Sequence, residues 1–151
     1  MSAASEQLPR SPLIDPLPPE ARMRLTMHGD FQFCEPGETL IEQGKQHGSL
    51  YYIMDGELEA RRLDEGKTIV LGKIHSGEWM GEVDLIDQAS PVCSVVATKR
   101  SQYWVMSRGA FEAFIREFPG DGVILLHSIS EVLCRRIRDV TRKLAWRSLI
   151  S

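Results

Sequence analysis

Residues 36–58 read PGETLIEQGKQHGSLYYIMDGEL, and this stretch decides the fold. Its apolar runs are short, and glycine, aspartate or proline separates each run from the next. Asp55-Gly56 lies between two β-prone runs, which predicts a hairpin because glycine accepts positive φ angles without steric cost. The stretch therefore predicts short strands joined by tight turns.

The same punctuation extends over residues 31–107. β-prone runs recur there with a turn signal roughly every eight to twelve residues. The predicted strands cover 39–42, 50–54, 58–63, 68–74, 92–98 and 103–106. Regular short strands of this kind predict an antiparallel sandwich or barrel, so the fold class is mainly β with flanking helices.

Helical periodicity appears at both ends of the β region. A short helix is predicted from Pro18-Pro19 to about His28, since proline is tolerated in a first helical turn. A second is predicted over 108–118, where apolar residues share one face. Pro119-Gly120 then breaks the pattern, and Asp121 is a suitable N-cap for a long helix over 121–146.

The long helix carries residues spaced alternately three and four apart. They are Val123, Leu126, Ser130, Leu133, Ile137, Val140 and Leu144. Such a stripe is typical of a helix that meets a partner helix. It predicts a homodimer whose contacts come from Leu126, Leu133, Ile137, Val140 and Leu144. The alternative is a helix that packs on its own β domain.

The first residues of the chain are rich in proline. Five of the eight prolines fall within the first twenty residues: Pro9, Pro12, Pro16, Pro18 and Pro19. Because proline lacks an amide donor and disfavours helix, residues 1–17 are predicted to be a flexible lead-in. Residues 18–146 then form one domain, and 147–151 form a short tail.

The composition narrows the function classes. The chain has 151 residues, 42% hydrophobic and 26% charged, with a formal net charge of -3, which is typical of one globular domain without a general attraction to nucleic acid. No apolar run is long enough to span a membrane. The three cysteines lie far apart and the four histidines form no ligand motif, so we expect no disulfide framework, no metal site, no catalysis and a cytoplasmic location.

Two stretches together point to a family. One is residues 36–58, and the other is Gly81-Glu82-Val83-Asp84-Leu85-Ile86 followed by Ser94-Val95-Val96-Ala97. With the order of predicted elements, they resemble the cyclic-nucleotide-binding domain family over roughly residues 18–146. The resemblance implies a double-stranded β-helix, or β-roll, with a long C-terminal helix, and a regulatory domain that senses cyclic AMP or cyclic GMP. Transcription factors of this kind continue into a helix-turn-helix, for which we expect no room before Ser151, so we expect no direct sequence-specific DNA binding.

The resemblance also implies a ligand site in residues 81–94, called the phosphate segment below. There, Glu82 accepts a ribose hydroxyl and backbone amides cradle the phosphate. On the long helix, Arg138 and Thr141 are candidates to cover the base. The candidate ligand-binding residues are Gly81, Glu82, Val83, Ser90, Pro91, Val92, Cys93, Ser94, Arg138 and Thr141.

The phosphate segment departs from the family pattern at its cation. Pro91 occupies the place of the arginine that meets the phosphate, and neither Ser90 nor Val92 replaces it. No lysine or arginine occurs between Lys73 and Lys99, whereas the segment carries three carboxylates. Loss of one paired charge costs about 3 kcal/mol, which weakens binding about 100-fold. The sequence therefore predicts a degenerate site with weak or lost affinity for cyclic nucleotides.

Three outcomes stay open for this pocket. It can bind a cyclic nucleotide weakly, with a cation that comes from elsewhere in the chain. It can bind a different, less anionic ligand. It can bind nothing, in which case the chain is a dimerisation or interaction module with a vestigial pocket.

Overall fold

The computed structural model of the chain describes residues 7–150, with side chains described as far as Trp146. The strands are β1 (Asp30–Cys34), β2 (Thr39–Ile41), β3 (Leu50–Asp55), β4 (Glu57–Asp64), β5 (Lys67–His75), β6 (Trp79–Met80), β7 (Ser94–Ala97) and β8 (Ser101–Met106). The helices are α1 (Pro19–Met27), α2 (Glu82–Asp87), α3 (Arg108–Glu117) and α4 (Pro119–Ile150).

The strands form two four-stranded antiparallel sheets. One has the order β1-β8-β3-β6 and the other β2-β7-β4-β5. The prediction of a mainly β roll with flanking helices and a long C-terminal helix is confirmed, and the predicted strands correspond to β2, β3, β4, β5, β7 and β8. Two strands have no clear signal in the sequence: β1, which starts with an aspartate and buries little, and β6, which has only two residues.

The hairpin predicted at Asp55-Gly56 is wrong. β3 and β4 lie in different sheets and do not pair, so the chain crosses from one sheet to the other at Gly56. Gly56 has a φ of 120°, and a Cβ there would collide with the Ser101 side chain. The hairpin forms instead between β4 and β5, at Glu65-Gly66, where both residues have positive φ as a two-residue type I′ turn requires.

The core has two parts that β3 separates. Tyr51 and Ile53 point into the roll between the sheets, while Leu50 and Tyr52 point towards the helices. Because successive side chains of a strand face opposite sides, a strand buried on both faces needs an unbroken apolar run, and residues 50–53 supply one.

The long helix differs from its prediction at both ends. α4 begins at Pro119 and extends to Ile150, whereas 121–146 was predicted. Asp121 does not cap it: its carboxylate accepts a hydrogen bond from Nη2 of Arg24 on α1 at 2.6 Å. The face of α4 that packs against the domain carries Leu125 and Ile129, both almost fully buried.

The proline-rich start is packed, which corrects the prediction of a flexible lead-in for residues 8–17, called the N-terminal strap below. Leu13, Ile14 and Leu17 are exposed by 2%, 0% and 1% and belong to the helical part of the core. The strap turns at residues 12–16, and Ser128 of α4 donates a hydrogen bond to the carbonyl of Leu13. Proline excludes helix here, but the apolar residues between the prolines still gain from burial. Residues 1–6 of the predicted lead-in and Ser151 of the predicted tail lie outside the described residues.

The predicted dimer stripe divides into two halves. Leu126 and Leu133 are half-buried and pack against the helical core of their own chain. Ile137, Val140 and Leu144 are exposed by 65%, 56% and 57%. The alternative of packing on the same domain therefore holds for Leu126 and Leu133, whereas Val123 of the first half is exposed by 67%. The second half of the stripe lies in a stretch, 134–146, in which every residue is exposed.

Two further features of the described residues concern membranes and metal ions. None of the helices found there has the length and apolar character that a membrane crossing needs. Over the same residues, no cluster of three or more histidine, cysteine, aspartate or glutamate side chains is placed to hold a metal ion.

Candidate functional site

A cavity of about 530 Å³ opens between the phosphate segment, the roll and α4. Its volume is within the range of small-molecule sites, which is about 300–1,000 Å³. The roll contributes apolar wall residues such as Ile41, Ala60 and Ile74, and α4 contributes Arg136. The cavity therefore combines an apolar wall with a few polar groups, as a binding site for a small organic ligand does.

Gly81 sets the entry to the short helix α2. It has a φ of 84°, and a Cβ at this position would collide with the backbone oxygen of Ser49. Only glycine fits here without strain. Leu85, exposed by 1%, anchors α2 to the helical core. With the helix fixed at both points, its first residue, Glu82, is held in the cavity wall and is exposed by only 2%.

The two carboxylate oxygens of Glu82 have different surroundings. Oε1 forms an ion pair with Nη1 of Arg136. Oε2 is buried and has no hydrogen-bond partner among the described residues. A buried acceptor without a partner costs about 1–3 kcal/mol. A ligand hydroxyl that donates to Oε2 would recover this free energy.

The second half of the phosphate segment is held by donors from other elements. The Gly44 amide donates to the carbonyl of Pro91 at 2.9 Å. Arg62 Nη1 donates to the carbonyl of Val92 at 2.6 Å, and the Gln43 amide donates to Oγ of Ser94 at 2.9 Å. These bonds fix the path of the segment along one side of the cavity.

Basic side chains reach the segment from outside it. Besides Arg136 and Arg62, His47 Nε2 lies 3.0 Å from Oδ2 of Asp84. Arg108 donates to the backbone carbonyl of Asp84 at 2.6 Å. The segment has no cation of its own, but three guanidinium groups and one imidazole surround it.

Cys93 lies on the cavity wall between opposite charges. Burial is the main cause that raises the pKa of its thiol, and the nearby Asp84 carboxylate raises it further. The Arg62 guanidinium acts in the other direction and lowers it.

The structure brings most of the predicted site residues together. Gly81, Glu82, Val83, Ser90, Pro91, Val92 and Cys93 all line the cavity. Ser94 is beside it, and its hydroxyl is occupied by Gln43.

For Arg138 and Thr141 the structure differs from the expectation, because neither lines this cavity. Arg138 lies over a separate shallow depression on α4, and Thr141 is exposed and donates to the carbonyl of Ile137 at 2.8 Å.

Arg136 is the residue of α4 that the sequence analysis missed. It follows Leu125, Ile129 and Val132 at spacings of four, three and four, which places all of them on the face that packs against the domain. This second stripe was visible in the sequence. The longer and more apolar stripe from Val123 to Leu144 was assigned a function instead, as a dimer contact.

Comparisons with known proteins agree with this geometry. The family model described as "Cyclic nucleotide-binding domain" matches residues 31–118. The chain is 26% identical to the cyclic AMP receptor protein of Thermus thermophilus over 135 residues, which is 89% of this chain and 61% of that protein. It is 23% identical to lysophospholipase nte1 of Aspergillus terreus over 125 residues, which is 80% of this chain but only 8% of that protein.

A solved structure shares the same architecture. The catabolite activator protein of Thermus thermophilus superimposes with a TM-score of 0.78 and 26% identity, covering 91% of this chain and 63% of that chain. The family match spans more than half of the chain and includes the phosphate segment, the roll and α3. The chain therefore belongs to the cyclic nucleotide-binding domain family.

Proposed function

We propose that the chain is a ligand-sensing regulatory module whose cavity binds cyclic AMP or cyclic GMP only weakly. The observation that carries the proposal is Glu82, which is 2% exposed and has one paired oxygen and one for which the described residues offer no partner. The 2′-hydroxyl of the ribose, which stays free in a 3′,5′-cyclic nucleotide, is a donor that suits this acceptor. The cavity beside it has room for a small organic molecule.

The weak affinity follows from the position of the missing arginine. Pro91 is buried and Val92 is exposed by 69%, and neither carries charge. Arg136 is already paired with Glu82, and Arg108 is bonded to the backbone of Asp84. A cyclic phosphate at the segment would therefore meet no arginine of the segment itself, and the nearby Arg62 guanidinium already donates to the carbonyl of Val92.

Sensing requires a moving part, and α4 is the candidate. Arg136 joins α4 to Glu82 across the cavity wall. A ligand that binds Glu82 changes the surroundings of this ion pair and so favours one position of α4 over another. The proposal does not include catalysis. It does include a cytoplasmic location, which the three free cysteines suit.

Calorimetric titration with cyclic AMP and cyclic GMP tests the proposal. We expect dissociation constants in the range of about 0.1–1 mM for the parent chain, because about 100-fold is lost with the arginine. Val92→Arg should strengthen binding about tenfold or more by restoring a charge-assisted bond, while Glu82→Gln should weaken it. Val92→Leu is the matched control, since it enlarges the side chain without charge. Absence of heat with millimolar ligand in both the parent and Val92→Arg would refute the sensing role.

A second candidate is an interaction module that dimerises through α4. The exposed Ile137 and Val140 favour it, because helix stripes of this spacing pack against a partner helix. The two functions are compatible, since a dimer helix that also carries Arg136 would connect the cavity to the assembly.

A further inference from the structure

Arg62 is placed at the phosphate segment by the geometry of β4. Leu58 is buried inside the roll and Ala60 lines the cavity, so this face of the strand points to the ligand side. Because side chains alternate along a strand, Arg62 shares that face. Arg62 does not itself line the cavity, but its guanidinium contacts Val92, which does. Arg61 and Glu59 share the other face and form an ion pair with each other at 2.7 Å.

The end of β4 is fixed relative to the segment. The side-chain amide of Gln43 makes two hydrogen bonds to the backbone of Leu63, at 3.0 and 2.8 Å. The backbone amide of the same Gln43 bonds to Ser94. One residue therefore ties the neighbour of Arg62 to the end of the phosphate segment, so the backbone that carries Arg62 is held next to the segment.

The guanidinium reaches the residue next to the one where the family has its own arginine. Arg62 Nη1 donates to the carbonyl of Val92 at 2.6 Å. A guanidinium has five N–H donors, so this bond leaves others for an anionic oxygen. Within the described part of the chain, no carboxylate forms an ion pair with Arg62, in contrast to Arg136 and its partner Glu82.

We propose that Arg62 replaces the missing arginine of the segment and binds the anionic group of the ligand. This inference rests on the proposed function and makes it more specific. The ligand is then a sugar phosphate or nucleotide that presents a hydroxyl to Glu82 at one end of the segment and an anionic oxygen to Arg62 at the other. The cation comes from the second sheet, which explains how a segment without basic residues retains a site for an anion.

The test compares one anionic and one neutral ligand that share a base and a sugar. Cyclic AMP and adenosine are titrated into the parent chain, Arg62→Gln and Arg61→Gln. Amide chemical shifts are the readout, because they can measure dissociation constants in the millimolar range. We expect Arg62→Gln to weaken cyclic AMP about tenfold, as for the loss of one charge-assisted bond, and to leave adenosine unchanged. Arg61→Gln is the matched control on the opposite face of the same strand and should change neither ligand.

A rescue variant separates charge from structure. Adding Val92→Arg to Arg62→Gln returns a guanidinium to the segment and should restore cyclic AMP binding. Equal weakening of both ligands in Arg62→Gln, or no weakening of either, overturns the role of Arg62 while the proposed function stands. Failure of the parent chain to bind cyclic AMP overturns the role of Arg62, and failure of Val92→Arg as well overturns the proposed function too.

Discussion

The charges that reach the cavity belong to single residues from separate elements. Arg136 of α4 pairs with Glu82. Arg108 donates to the backbone carbonyl of Asp84, and His47 bonds to the Asp84 carboxylate. Arg62 donates to the carbonyl of Val92. Each of these contacts joins residues far apart in sequence. Of the charged groups, only the carboxylates could be placed at the site from the sequence, because they lie within the segment 81–94. Their basic partners are brought to the site by the tertiary fold.

Cys93 gives a ligand-free measure of these charges. Burial, with Asp84, raises the pKa of its thiol, so less thiolate is present at a given pH and alkylation is slow. Arg62→Gln removes the positive charge that lowers this pKa, so the alkylation profile should move to higher pH. Asp84→Asn removes a charge that raises it, so the profile should move to lower pH. Peptide-resolved alkylation rates across pH 7–10 measure both shifts at roughly the usual titration range of a thiol, and identical profiles in all three proteins would contradict the account.

At the scale of elements, the N-terminal strap is part of the core. Ile14 is fully buried among residues of α1 and α4. Ile14→Ala should lower the free energy of unfolding by about 3 kcal/mol, because it removes buried methyl groups and leaves a cavity. Leu63→Ala is the control: Leu63 is exposed by 58%, so the change should be within about 0.5 kcal/mol. Urea unfolding measures both, and similar midpoints for Ile14→Ala and the parent would mean that the strap does not contribute to stability.

The elements also show what local patterns can predict. β-prone runs separated by turn-forming residues located six of the strands, because burial and turn geometry are encoded locally. The partner of each strand is not encoded in this way, so Asp55-Gly56 was assigned to a hairpin although it joins two sheets. In the same way, proline correctly excluded helix from the strap but could not show that α4 and α1 provide a surface for Leu13 and Ile14.

For the whole molecule, the exposed second half of the α4 stripe predicts a dimer. Ile137→Arg places a charge in the proposed helix–helix seam, which is the contact between the α4 stripes of two chains. It should convert a dimer to a monomer, which sedimentation velocity measures. Ile137 is a better site than Leu133, because Leu133 also packs in its own core. Trp146→Arg is the matched control: nine residues further along, it lies on the opposite side of the helix and is exposed by 63%. A parent chain that sediments as a monomer would exclude the seam.

The fold as a whole was easier to predict than the site. Strand spacing and turn glycines are sequence-local and predict an antiparallel sandwich or barrel. The β-roll and the ligand side of the phosphate segment were implied by the family resemblance that Gly81-Glu82 helps to carry. Arg136 and Arg62 were not predicted, since each is separated from its partner by thirty or more residues in sequence. The family pattern indicates where a cation is missing, and only the packing of β4 and α4 shows which cations are nearby.

Trp79 has neighbours on two sides that make it an optical reporter. Its indole lines the cavity, and its Nε1 donates to Oγ of Ser11 in the strap at 3.0 Å. Its emission should therefore respond to an occupied cavity and to a detached strap, without any introduced dye. In a variant that combines Trp104→Phe and Trp146→Phe, Trp79 would be the single tryptophan. Its emission would then show whether the amino-terminal residues loosen when a small molecule enters.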